Sequence, residues 1–232
     1  MNALPLLADH ANTINLVGGG KAISAPVQIF LLLTLLAVLP GALLMLTGFT
    51  RILIVLGFVR SALGTPTTPP TQVLVGMSIF LSLFVMAPTL KQVNEAAVQP
   101  YTHHEIGLQS AIDRGQEPLR TFMFKQTRDS DLALFVSMAH LPRPKTRADI
   151  PTYVLIPSFM ISELKTAFQI GFLIYLPFLI IDMVISSILI SMGMMMLPPV
   201  LISLPFKLLL FVLVNGWHLI TGSLMSSFGA SG

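Results

Sequence analysis

Long apolar stretches and short polar interruptions follow one another along most of this 232-residue chain. Residues 27–46 form twenty positions without a charge, enough for a helix to cross a bilayer core of about 30 Å. The apolar pattern continues through residues 47–64. The prolines of residues 65–70 then end the helix, because proline lacks the N–H that a helix interior requires.

Three further apolar stretches follow, at residues 72–87, 166–190 and 200–214. The first has only 16 residues and the last only 15, which is short for a span that needs about 20. The last stretch is also interrupted by Pro205 and Lys207. The pattern therefore predicts four apolar helical stretches, two of which are too short or too polar to cross a lipid bilayer favourably.

The middle of the chain is polar but keeps a helical period. Leu119, Phe122, Met123 and Gln126 recur at the spacing of one helix face. Three consecutive glycines near residue 19 indicate a flexible joint instead. These patterns predict an all-α, membrane-associated protein with a flexible N-terminal segment (1–26), a first apolar helical block (27–88), a polar helical block (89–160) and a second apolar helical hairpin block (161–232).

Composition supports a membrane environment. Charged residues make up 10% of the chain and hydrophobic residues 54%, whereas soluble domains carry about 25% charged residues. The mean hydropathy of +0.83 leaves more apolar surface than a small domain can bury within itself. The absence of cysteine excludes a disulfide scaffold, a thiolate metal site and a cysteine nucleophile. A net charge of +3 is too small for a nucleic-acid groove.

The positions of the charges suggest an orientation. Fifteen charged side chains lie between residues 89 and 160, and only eight lie elsewhere. Placing Arg51 and Arg60 in the cytoplasm puts the polar block and both termini outside. The apolar run at residues 3–8 is too short for a complete secretory signal, so either a signal was removed earlier or the first long helix directs insertion.

Four charged residues lie in apolar surroundings within the second apolar block. Each costs at least about 2.5–3.5 kcal/mol in hydrocarbon and so needs a partner or water. We expect Glu163 to pair with Lys207, within one chain or between copies, as an assembly contact; a proton or ion relay is the alternative. Asp182 is the best relay candidate, although it could instead face water in an assembled pore. The four residues are Glu163, Lys165, Asp182 and Lys207.

Methionines cluster immediately before a pair of prolines. Gly193 and the prolines at residues 198 and 199 prevent a regular helix, so the pattern predicts a loop at the turn of a helical hairpin. A ring of such loops would form a deformable apolar gasket, because methionine packs around irregular shapes. Methionine also fills ordinary cores, but a loop has no core to fill. The gasket residues are Met192, Met194, Met195 and Met196.

Signals for an enzyme are weak. The chain contains no strand–helix context for a nucleophile elbow, a zinc-protease motif or a phosphate-binding loop. His103, His104 and Glu105 are adjacent, so their side chains point to different sides of a helix and favour a solvated face over a metal site. We therefore predict no catalytic residue, no metal and no cofactor.

Several long strings resemble the FliP family of flagellar and type III secretion export-gate proteins. They are SELKTAFQIGFLIYLPFLIIDMVISSILISMGMMMLPPVLISLPFKLLLFVLVNGW at residues 162–217, FTRILIVLGFVRSALGTPTTPPTQVL at residues 49–74 and PLRTFMFKQTRDSDLALF at residues 118–135. The resemblance covers nearly everything from residue 27 onward. Asn215 departs from the acid that many members carry before Gly-Trp. Members often begin with a cleavable signal peptide, which this numbering does not show.

The resemblance implies a flagellar export gate in the bacterial inner membrane, within the basal body. Helical hairpins of about five copies would assemble with FliQ-like and FliR-like subunits, beside an FlhB-like subunit, into a helically staggered pore for unfolded flagellar proteins. Met194, Met195 and Met196 would form the gasket. Glu163 and Lys207, with Lys165 nearby, would make charge contacts between subunits. The polar block would be periplasmic, and much apolar surface would face sister subunits.

Two other function classes remain open from the residues alone. Asp182 and Lys207, within helices interrupted by proline and glycine, would also fit a secondary transporter or an ion or proton channel. A membrane enzyme is a third class, but the sequence shows no nucleophile and base for it.

Overall fold

The computed structural model describes residues 25–142, 144–194 and 197–229. Within these ranges all regular secondary structure is helical, which confirms the predicted fold class. The chain divides into two compact units, Met1–Leu44 and Met45–Gly232. The helices are α1 (Ala25–Met45), α2 (Phe49–Ala62), α3 (Thr71–Val93), α4 (Gln99–Thr102), α5 (Leu108–Gln126), α6 (Asp129–Met138), α7 (Thr152–Ser191), α8 (Pro199–Leu213) and α9 (Gly216–Ser227).

Helix α1 is the regular element of the first unit. It has 21 residues, carries no charge and continues through Pro40. Most of the large side chains that the structure describes on α1 are exposed; Phe30 and Leu36, for example, are 67% and 66% accessible. An uncharged helix of this length with bare apolar side chains fits lipid or another protein surface, and not water.

Helix α2 forms the centre of the second unit. Ile52, Val55, Leu56 and Val59 recur at the spacing of one helix face and are completely buried. They belong to a core that also receives side chains from α3, α7, α8 and α9. The face of this 14-residue helix that carries these four residues is thus covered by the other long apolar helices of the unit.

Helix α3 is longer than the apolar stretch that predicted it. A π-helical turn at Asn94–Val98 joins it to α4, so that one apolar helix runs over Thr71–Thr102, a length of 32 residues. At 1.5 Å per residue this is about 48 Å, more than a bilayer core requires. The prediction that this stretch is short for a span was therefore wrong, because Pro88 does not end the helix.

Helix α7 joins the polar block to the second apolar block without a break. It has 40 residues and continues through Pro157 and Pro177. Only 11% of its most apolar window is buried within the chain. Among the described residues, α7 and Thr71–Thr102 are long and apolar enough to cross a membrane, and α8 with α9 could form a third, bent span.

The polar block packs onto the first half of α7 through specific hydrogen bonds. The hydroxyl of Ser162 donates to Asp131 over 2.7 Å and accepts from the backbone N–H of Arg128 over 3.1 Å. Further along the block, the backbone N–H of Thr146 and its hydroxyl hold the pKa of the Asp149 carboxyl below its usual value. The predicted helical character of this block is confirmed by α5 and α6.

An elbow separates α8 from α9. The two helix axes differ by 65°, and Asn215 between them has φ 52°, in the left-handed region. Asparagine is one of the few residues that adopt this conformation readily. Beyond the elbow, α9 returns toward α2 and buries Leu224 and Phe228 in the same core as the inner face of α2.

The crossing of α2 and α7 depends on Gly171. A Cβ atom at this position would lie 2.6 Å from Cγ of Phe58 on α2, so Gly171→Ala would push the two helices apart. We expect a loss of about 1–3 kcal/mol in the free energy of unfolding, as for other overpacked sites. Thermal unfolding of the detergent-extracted protein measures it.

Gly76 on α3 provides the matched control, because no atom lies within 4 Å of a Cβ placed there. Gly76→Ala should leave stability unchanged or raise it by up to about 1 kcal/mol, since alanine favours a helix over glycine. Equal stability of the two alanine variants would contradict the proposed close crossing.

Candidate functional site

An ion pair between α2 and α7 lies at the centre of the second unit. Arg51 is 1% exposed and Glu163 is fully buried. Nε of Arg51 donates to Oε2 of Glu163 over 2.9 Å, and Nη2 donates to Oε1. Such a two-pronged contact matches the planar guanidinium to the carboxylate and is the strongest arrangement that these groups adopt.

The remaining donors of Arg51 reach two other elements. Nη2 also donates to Oε1 of Gln126 at the end of α5, over 3.0 Å. Nη1 donates to the carbonyl and hydroxyl oxygens of Ser227, in the last turn of α9, over 3.0 and 3.1 Å. A guanidinium has five N–H donors, and these contacts use all of them. One side chain therefore connects α2, α5, α7 and α9.

A second ion pair closes the hairpin of α7 and α8. Nζ of Lys207 donates to Oδ2 of Asp182 over 2.6 Å, and the hydroxyl of Ser203 donates to Oδ1 over 2.5 Å. Lys207 and Ser203 are buried, whereas the Asp182 side chain is 28% exposed. Both carboxylate oxygens are thus occupied from α8. Asp182 already has a counter-ion, which weighs against its assignment as a free relay group.

The predicted pairing of Glu163 with Lys207 is wrong within the chain. Each residue has another partner, Arg51 for Glu163 and Asp182 for Lys207. Glu163 and Asp182 lie 19 residues apart on one helix, about 28 Å along its axis, so Lys207 cannot serve both carboxylates. Lys165 is exposed on α7, outside both pairs. A role of these residues between subunits stays a prediction.

Arg51 is the functional residue that the sequence patterns do not single out. They mark it only as an orientation charge, although it stands in an apolar helix as Glu163 does. The charge balance offers no signal for it, because Glu163, Asp182, Lys165 and Lys207 are already two acids and two bases. In the structure Lys165 is exposed and Arg51 takes its place in the second pair.

The methionine-rich turn connects α7 to α8, as the sequence predicted. Gly193 has φ 74° and allows two backbone hydrogen bonds that close α7: Gly193 N–H to the carbonyl of Ile190, and Met194 N–H to the carbonyl of Leu189, both 3.0 Å. This is the Schellman arrangement of a helix end. Met192 is 66% exposed and Met194 39%. Met195 and Met196 lie outside the described residues.

The profile of the FliP family matches residues 32–224 of this chain. The chain belongs to the FliP family. The flagellar biosynthetic protein FliP of Bacillus subtilis strain 168 is 55% identical over 206 residues, which cover 89% of this chain and 93% of the relative. The protein of the same name from Pectobacterium carotovorum is 55% identical over 92% of this chain and 83% of its own length.

The similarity extends to distant bacteria. The flagellar biosynthetic protein FliP of Caulobacter vibrioides is 47% identical over 97% of this chain and 86% of the relative. The family resemblance of the sequence strings is therefore confirmed. FliP membership and the apolar helices fit a flagellar protein of the inner membrane, and the family is not one of known enzymes.

The two ion pairs lead to a test by double-mutant cycles on the free energy of unfolding of the extracted protein. Arg51→Met or Glu163→Gln alone should each cost about 3–5 kcal/mol, because the remaining buried group loses its partner. The double variant should cost clearly less than the sum. Lys207→Met with Asp182→Asn should be coupled in the same way.

Glu163→Gln with Lys207→Met is the control cycle. These sites share no partner, so their losses should add within about 0.5 kcal/mol. Strong coupling in this control, or additive losses for Arg51 with Glu163, would contradict the observed pairing.

Proposed function

We propose that this chain is a core subunit of the flagellar type III secretion export gate. Together with FliQ-like and FliR-like subunits, and beside an FlhB-like subunit, it forms a gated pore through which unfolded flagellar proteins cross the inner membrane. FliP family membership over residues 32–224 and the names of its relatives support the flagellar assignment. The hairpin of α7 and α8 supports the pore.

The observation that carries the proposal is the exposure of large apolar side chains on α7, on α8 and in the described part of the turn between them. Large apolar side chains on the two helices of this hairpin are more than half exposed, although the polar groups at its centre are fully paired. A surface of this size needs lipid or other subunits to cover it. Representative side chains are Phe168 and Phe172 on α7 and Phe206 and Val212 on α8.

Copies of such a hairpin, arranged in a ring, would bring their tips together. Met192 and Met194 project from the turn, and Met195 and Met196 follow in the sequence. Flexible, polarizable side chains can pack against one another or against a polypeptide. A ring of them would therefore exclude ions when no polypeptide is present and would admit one during export. About five copies in a staggered arrangement are proposed from the family resemblance.

The proposed location is the flagellar basal body in the bacterial inner membrane, with the polar block on the periplasmic side. Arg51 is neutralised by Glu163 inside the fold and does not act as an orientation signal. Arg60, at the end of α2, pairs with no carboxylate among the described residues; it donates to Thr71 over 3.0 Å. The proposed orientation therefore depends on Arg60 facing the cytoplasm.

An ion or proton channel is the second candidate function. Asp182 opens onto a largely apolar groove on α7 in which Tyr175, Ser186 and Ser191 supply hydroxyl groups, and a carboxylate beside hydroxyls could pass protons. Its contacts with Lys207 and Ser203 favour the structural role. We propose no catalytic residue, metal or cofactor, and no nucleic-acid partner.

The gasket is tested by replacing Met194, Met195 and Met196 with alanine in cells that build the complete apparatus. Shorter side chains should leave gaps at the constriction, so ion leakage across the inner membrane should rise several-fold while the complex is still recovered. Membrane potential and co-purification of sister subunits measure the two effects.

Met138→Ala is the matched control. Met138 is 63% exposed, like Met192, but lies on α6 in the polar block. It should cause no leak. Loss of the assembled complex in the triple variant would indicate a structural role for the methionines, and an intact barrier in assembled complexes would contradict the gasket.

A further inference from the structure

The C-terminal end of α9 is fastened to the rest of the unit by polar contacts with its backbone. The last-turn carbonyl of Ser227 accepts from Nη1 of Arg51 over 3.0 Å. The carbonyl of Phe228 accepts from Nε2 of Gln126 over 3.2 Å. These carbonyls belong to the end of a helix, where no later N–H is available, and a cation there also complements the negative end of the helix dipole.

The ring of Phe228 completes this contact from the other side. Cζ of Arg51 lies 3.9 Å from the ring centroid, a close cation–π distance. The ring also rests on Gly48, where a Cβ atom would approach Cζ of the ring to 2.7 Å. Gly48 has φ −70°, a conformation open to any residue, so the space taken by the ring is what requires glycine there.

Most of the contacts of Arg51 do not involve α9. Two of its five N–H groups donate to Glu163 and one donates to Gln126, and both partners lie N-terminal to α9 in the chain. Only the two N–H groups of Nη1 turn to Ser227. Release of α9 would therefore cost the Nη1 contacts, the bond from Gln126 to the Phe228 carbonyl and the apolar contacts of α9 and Phe228, but not the bonds between Arg51 and Glu163.

Helix α9 is otherwise held mainly along one side. Its side chains Ile220 and Leu224 are buried in the core around α2, whereas His218 and Leu219 on the opposite side are exposed. Its first turn follows the elbow at Asn215, where the chain direction changes by 65°. A short helix with an elbow at one end, polar contacts at the other and a single apolar face between them can open as a unit.

We propose that Arg51, Gln126 and Gly48 form a latch that seats the C-terminal helix α9 on a preformed bundle of α2, α5 and α7. Arg51 is thus a positioning residue with two separable tasks. Its Nε and Nη2 neutralise Glu163, and its Nη1 holds the end of α9. By holding the end of α9, the latch fixes the angle between α8 and α9 at the elbow, and so the direction of α8 relative to the bundle. It does not depend on whether the assembled protein conducts a polypeptide.

The chain contains no cysteine, so a single introduced thiol reports on its own position. Leu224→Cys places a thiol in the buried face of α9, and Val55→Cys places one in the core of α2; both parent side chains are fully buried. The rate of maleimide labelling of the full-length, detergent-extracted protein then measures the opening of α9 and of the bundle separately.

Gly48→Ala is the principal latch variant, because it displaces the Phe228 ring and changes no charge. Labelling of Leu224→Cys should accelerate by about tenfold, as expected for local opening, whereas labelling of Val55→Cys should stay within about twofold. Gly57→Ala, within α2, the helix that Gly48 precedes, and with no atom within 4 Å of the added carbon, is the control and should alter neither rate.

Arg51→Lys is the second variant. It keeps a positive charge for Glu163 but lacks the fork that reaches Ser227, so it should produce the same selective increase. Equal acceleration at both thiols would mean that these residues hold the whole fold together and would overturn the latch. An unchanged rate at Leu224→Cys in the Gly48→Ala background would overturn it as well, even if Arg51→Lys does not fold.

Discussion

The contact between Arg51 and Glu163 is the constraint around which the second unit is arranged. Two charges this deep would be prohibitively unfavourable singly, and each is tolerated only because the other neutralises it and every N–H of the guanidinium is bonded. Satisfying that condition requires parts of α2, α5, α7 and α9 at the same point. The register of these helices therefore follows from the geometry of one planar side chain, in a core whose apolar contacts are otherwise non-directional.

The two ion pairs hold different halves of α7 to different neighbouring helices. The Arg51 pair organises the half that carries the polar block, and the Asp182 pair fastens α8 near the methionine-rich turn. Because both pairs are satisfied inside the chain, the outer surface of the hairpin can be almost entirely apolar. Sister subunits can cover such a surface as well as lipid can. The pairing inside the chain and the apolar outer surface together account for a charged fraction of only 10%, in which the charges within the apolar helices have specific partners.

Much of the fold could be predicted from the sequence, since helix type depends on local period and on proline and glycine. The methionine-rich turn was placed correctly because Gly193 and two prolines act locally. The apolar stretches underestimate the helix lengths. Helix α3 continues through Pro88, where packing against neighbours outweighs the local preference of proline, and α7 begins before the charged residues Glu163 and Lys165. The ion-pair partners could not be predicted, since Arg51 and Glu163 are 112 positions apart and only the tertiary fold brings them together.

The closed backbone at Gly193 has a consequence for how the turn can vary in evolution. The end of α7 is shaped by hydrogen bonds between main-chain groups, and none of them involves a methionine side chain. Side chains at the turn can therefore change in size or chemistry while α7 ends in the same way. These side chains can vary one residue at a time, and the hairpin that carries them need not change.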